Sequence, residues 1–173
     1  MAEGSSKHKL ISALEDALVN EFRVIRLLLD FSKEELEALT KRDTESLASI
    51  VEKKEQILDE LALLENERTQ LMEKVSQRLG LKKSPPTLAE IFPYLEKTTV
   101  ERLKHLQEGI VALGSEIRSI NHSNLTLAKT ALDLADSTQA YLLSLYQPEL
   151  ETYQAPGLGP KRHVAVRSFD QRV

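Results

Sequence analysis

"ERLKHLQEGIVALGSEIRSINHSNLTLAKTALDLADSTQAYLLSLY", residues 101–146, carries no proline and repeats its seam at steps of three and four. The seam runs Leu103, Leu106, Ile110, Leu113, Ile117, Ile120, Asn124, Leu127, Ala131, Leu134, Thr138, Tyr141 and Leu145. Such steps return to one face of a 3.6-residue helix, and their unbroken alternation marks a helix packed nearly parallel or antiparallel to its neighbours. The spacing predicts one helix over about 98–147, roughly 70 Å long at ~1.5 Å per residue. A second stripe, Leu125, Ala128, Leu132, Ala135, Leu142 and Tyr146, runs beside the first and widens the apolar face of the C-terminal half. One two-helix seam does not bury a face that wide. Two readings follow, which are not exclusive: this helix touches two neighbours at once in a three-helix bundle, and part of the face is open to a partner.

The preceding sequence supplies the neighbours. Leu10, Leu14, Leu18, Phe22, Ile25, Leu29, Leu36 and Leu39 step by three, four or seven and predict a helix over about 9–40. "TKRDTES" follows at 40–46, where Asp43 or Thr44 can cap the next helix by accepting a hydrogen bond from its free amides. The second seam is Leu47, Ile50, Lys54, Ile57, Leu61, Leu64, Arg68, Leu71 and Val75. Lys54 and Arg68 at core-type positions are expected to pack their stems while the charged heads reach water. The short connection makes the two helices an antiparallel hairpin. Gly80 terminates the second helix, and Pro85 and Pro86 prevent its continuation. Thr87 with Glu90 has capping-box spacing and opens a short helix over 88–95 interrupted by Pro93; Thr98 with Glu101 opens the last long helix in the same way.

The expected fold is all-α: an antiparallel three-long-helix coiled-coil bundle, with a short helix between the second and third long helices. Its domain spans 1–147, made of a hairpin at 9–79, a proline-bearing break at 80–97 and the long helix at 98–147. A flexible tail, 148–173, follows, because Pro156, Gly157, Gly159 and Pro160 break helical hydrogen bonding. The hairpin helices reach roughly 50 Å, so the last helix outruns them. Spacing alone leaves open which of its ends is uncovered.

Composition narrows the function. With 23 basic against 27 acidic residues, the net charge of -4 lacks the basic face that grips nucleic acid. The absence of cysteine excludes disulfides and thiolate metal sites and suits a reducing compartment. Glu15, Asp16 and Glu21 stand where a signal peptide needs apolar residues, and no span approaches the ~20 apolar residues of a membrane helix. A cytoplasmic protein without membrane insertion is expected. None of His8, His105, His122 or His163 follows a Glu by three positions, as a bundle metal site requires. Glu101 and His105 read as solvated surface. No serine lies in a Gly-x-Ser-x-Gly elbow, and "GLGPKR" at 157–162 lacks the ending of a phosphate loop. We therefore expect no enzyme, no cofactor and no metal. The polar seam residue Asn124, with Asn121 one turn before it, either sets register, lies at a solvated bundle edge or touches a ligand.

"LASIVEKKEQILDELALLENERTQL" at 47–71, the proline-bearing break, "IRSINHSNLTLAKTAL" at 117–132 and Tyr153 followed four positions on by Gly157 together resemble the FlgN family. The resemblance implies a cytosolic chaperone of flagellar type III protein export. Family members bind the C-terminal helical segments of the hook-filament junction proteins, hook-associated proteins 1 and 3. They prevent premature assembly and deliver their clients to the cytoplasmic domain of the export-gate protein FlhA. Client binding maps to the far half of the last helix, where Leu132, Leu134, Tyr141, Leu142, Leu145 and Tyr146 are the candidates. Tyr153 matches the tyrosine that docks the loaded chaperone on the gate. Three rivals stay open: a self-associating coiled-coil scaffold, a helical-bundle enzyme or metal carrier, and a chaperone for another flagellar client such as the filament cap.

Overall fold

The structure, a computed structural model, describes the backbone of residues 2–81 and 85–146 and the side chains of 6–81 and 85–145. Four α-helices follow in order: α1 at Ala2–Lys41, α2 at Thr44–Leu79, α3 at Leu88–Ile91 and α4 at Lys97–Tyr146, with a 3-10 turn at Phe92–Tyr94 between the last two. No strand occurs among the described residues, and the long helices pack as an all-α bundle. By internal contacts the chain divides within α4 into units 1–133 and 134–173. The packing described next belongs to the first. The predicted tail, 148–173, lies outside the described residues.

The helix ends follow local chemistry. α1 starts at Ala2 rather than near residue 9, because its polar first turns have no apolar rhythm to announce them. It ends where Arg42 adopts a left-handed conformation, φ 57°, and the amides of Arg42 and Asp43 donate to the carbonyls of Leu39 (3.2 Å) and Ala38 (2.9 Å). Asp43, of the two candidates, caps α2: its Oδ1 accepts from the Ser46 amide at 3.0 Å and its Oδ2 from the Ser46 hydroxyl at 2.6 Å. These bonds, the hydroxyl's above all, hold the Asp43 carboxyl below the usual carboxylate range. Gly80 closes α2 at φ 66°, a left-handed geometry that glycine adopts without a Cβ clash. The Thr87 amide donates to Glu90 Oε2 at 2.6 Å, as the predicted box requires. The second expected box is corrected: α4 begins at Lys97, which places Thr98 inside the helix and not at its cap.

α1 and α2 are antiparallel, tied by Glu35 to Lys54 and Glu21 to Arg68. α4 runs parallel to α1. Glu15 holds Arg102 in a bidentate pair, and Phe22 meets Gly109, 87 positions apart in each case. At the closed end, Ile11, Leu14, Leu18, Met72, Val75 and Leu103 form one apolar layer, completed by the fully buried Ile91 from α3. A second layer, Val24, Leu28, Leu29, Ile57 and Ile117, lies further along. Between them sits Glu21, its side chain only 5% exposed, paired with Arg68 at 2.7 Å. Here the sequence expectation is corrected: the heads of Lys54 and Arg68 do not simply reach water, because α1 presents a carboxylate to each.

Two paired comparisons test this packing. A Cβ on Gly109 would stand 2.8 Å from the Phe22 ring, whereas one on Gly114 meets nothing within 4 Å. In urea melts Gly114→Ala should gain about 1 kcal/mol from helix propensity, while Gly109→Ala should lose stability by displacing the ring. Arg68→Leu strands a buried carboxylate and should cost about 3 kcal/mol, whereas Glu21→Leu with Arg68→Leu should fall within about 1 kcal/mol of the parent or above it.

Candidate functional site

The covering of α4 ends at one level. Along the seam Leu103 and Ile117 are buried and Leu106, Ile110, Leu113 and Ile120 are partly buried against the two apolar layers. The last buried residue is Asn124, at 5% exposure. From 125 to 145 every residue of α4 is exposed. The step that relates Glu15 to Arg102 carries Lys41, the last residue of α1, to the level of Ala128. Beyond that level α1 has no residues left to shelter α4.

A polar cluster marks the boundary. Asn124 Nδ2 donates to the Ser32 carbonyl (3.1 Å) and to Glu35 Oε2 (2.7 Å) on α1. Glu35 Oε2 also accepts from Lys54 Nζ of α2 at 2.6 Å, and Lys54 reaches Asn121 Oδ1 at 3.3 Å. One carboxylate oxygen thus gathers groups from all three long helices. A shifted register breaks these bonds and buries their polar atoms unpaired, so the cluster rewards a single alignment. Asn124 Oδ1 is buried and has no hydrogen-bond partner among the described residues.

Beside this cluster lies a cleft of about 310 Å³, lined by Glu35 and Leu39 of α1, Leu47, Val51 and Lys54 of α2, and Asn121, Asn124, Leu125 and Ala128 of α4. Its lining combines the apolar Leu39, Leu47, Val51, Leu125 and Ala128 with the polar Glu35, Lys54, Asn121 and Asn124. Leu125 and Ala128 begin the second stripe of α4, so the cleft opens onto that stripe.

The candidate contact residues fall on this exposed helix. Leu132 (62% exposed), Leu134, Tyr141 (63% exposed), Leu142 and Leu145 are all open, Leu134, Tyr141 and Leu145 on the first stripe and Leu132 and Leu142 on the second. Tyr146 ends the helix, and its side chain is not among those described. Tyr153 lies outside the described residues. Among the described residues the second stripe is left exposed from 125 to 145. Leu143, exposed, was not among the candidates because it belongs to neither stripe. The cleft walls Leu39, Leu47 and Val51 were missed for another reason: helix pairing, which periodicity does not supply, decides that these three stand opposite Leu125 and Ala128. His105 is exposed, 3.8 Å from Glu108. Among the described residues no group of three His, Cys, Asp or Glu is placed to hold a metal ion, and no helix is long and apolar enough to cross a membrane.

The family model described as FlgN protein matches residues 1–159. Neither the curated proteins nor the solved structures contain a match. The family match spans the hairpin, the break, the whole of α4 and the start of the tail, including Tyr153, in agreement with the resemblance read from residues 47–71 and 117–132. The chain belongs to the FlgN family of flagellar export chaperones.

Proposed function

We propose that this chain is a cytoplasmic chaperone that binds the C-terminal helical segments of hook-associated proteins 1 and 3 on the second half of α4. By covering those segments it prevents premature assembly, and it then delivers its clients to the FlhA cytoplasmic domain. The observation that carries this reading is the uninterrupted exposure of residues 125–145 on a helix whose two apolar stripes continue through them. Amphipathic helices are recognised by apolar anchors at three- and four-residue spacing, and both stripes have it. Burial of each large side chain is worth roughly 1.5–3 kcal/mol before the costs of association, so a few leucines and tyrosines suffice for a complex that can later release. Leu132, Leu134, Tyr141, Leu142, Leu145 and Tyr146 are the proposed client contacts. Tyr153, within the family match, is the proposed gate contact. Bundle and tail, divided near residue 147, thereby take separate tasks. Cytoplasmic location fits a chain without cysteine whose described helices do not cross a membrane.

The same exposed face fits a second reading, pairing of two copies into a scaffold. The mass of the isolated chain in solution separates them: a client chaperone stays small until client is added.

Two measurements test the proposal. Leu132→Asp with Tyr141→Asp should weaken binding to a hook-associated C-terminal segment about 100-fold, while changing stability by no more than about 0.5 kcal/mol because both sites are exposed. Parent affinity in that variant removes the α4 site. Tyr153→Ala should keep client affinity and weaken capture by the FlhA cytoplasmic domain; loss of both together assigns Tyr153 to the client site instead.

A further inference from the structure

We infer that the face of α4 turned away from both apolar stripes sets client affinity, by keeping the open half of the helix marginally stable until a client covers it. This rests on the chaperone reading and deepens it, because it gives the client site a control that does not touch the client. The face is Thr126, Thr130, Asp133, Ser137, Ala140 and Ser144, which alternate in steps of four and three and are all exposed. All but Ala140 are Thr, Ser or Asp, which are among the weaker helix formers. On α2 the exposed Glu52, Lys53, Glu55, Gln56, Glu60 and Glu67 are strong ones, and α2 has a packed face besides.

In folded proteins the packing of an apolar face supplies most of a helix's stability. Among the described residues nothing packs on 125–145, so their helical state depends on the preferences of their own side chains. Those preferences are divided. Thr126 Oγ1 donates to the His122 carbonyl at 3.0 Å, Thr130 Oγ1 to the Thr126 carbonyl at 2.9 Å, and Ser144 Oγ to the Tyr141 carbonyl at 2.6 Å. Hydroxyls bonded back to the preceding turn slightly weaken and bend a helix. Charge adds little support, since Lys129, Asp133 and Asp136 are the charged residues of the stretch. A client seated on the stripes supplies the missing packing and completes the helix. The helical fraction of the free chain then scales the apparent affinity: the smaller the fraction, the weaker the binding. Ordering at the moment of binding lowers affinity for a given contact area, which suits a carrier that must release.

The test titrates purified C-terminal segments of hook-associated proteins 1 and 3 against the full chain and two variants, and reads amide exchange over 125–145 in each free protein. Thr126→Ala with Thr130→Ala and Ser144→Ala should slow that exchange and tighten binding about fivefold. Ala140→Gly, on the same face, should speed exchange and weaken binding about threefold. None of these four positions belongs to either stripe. Affinity that moves without exchange would mean that this face touches the client, and exchange that moves without affinity that helix formation is not coupled to binding. Either result overturns the inference. Exchange and affinity unchanged in both variants would show an open half already fully formed in the free chain, and would overturn it too. Loss of binding in Leu132→Asp with Tyr141→Asp would leave the α4 site standing in all three cases. If the parent binds neither segment, the chaperone reading fails and this inference with it.

Discussion

A helix buries its apolar stripe only as far as a neighbour runs beside it. α4 has 50 residues, whereas α1 has 40 and α2 has 36. The long connection through α3 seats the start of α4 beside the closed end of the hairpin, where Ile91, Leu103 and Leu14 are fully buried together. With that end set and α4 parallel to α1, cover is exhausted near Ala128. Length mismatch and polarity of connection together decide which half of α4 is open. Neither depends on any special property of the open half itself.

The polar layers make that arrangement specific. A bundle held only by leucine and isoleucine slides at little cost, since one apolar layer resembles the next. Glu21 with Arg68 separates the two apolar layers, and the cluster around Glu35 ends the second. Each bond joins different helices, so a slip of one turn along any of them breaks it and leaves a polar group buried. Such pairs add little net stability and much register. Where the bundle must stop covering α4 at a defined level, register is the property that matters.

Much of this was legible in the chain. Steps of three and four located the long helices because each buries a stripe, and Asp43 and Gly80 announced the ends of α2, and the Thr87–Glu90 pair the start of α3, by chemistry that acts within three or four residues. Features set by pairing between helices were not legible. Lys54 and Arg68 stood out as odd seam residues, but periodicity did not name Glu35 and Glu21 as their partners, because the level at which α1 and α2 face each other is set by packing. The cleft has the same character: Leu39, Leu47 and Val51 meet Leu125 and Ala128 only once three helices are brought to one level. The exposed stripe was visible as a pattern, but its exposure was not, since an identical pattern serves a helix with two neighbours. The start of α1 was missed because a polar first turn has no periodicity to read.

Among the described residues nothing buries 125–145, and a client segment would cover them. Amide hydrogen exchange on the isolated protein measures this directly. Slow exchange is expected for seam residues before Asn124 and rapid exchange from 125 to 145, with the second stretch slowed only when a hook-associated C-terminal segment is added. Slow exchange throughout 125–145 in the free monomer, unchanged by the segment, would contradict it.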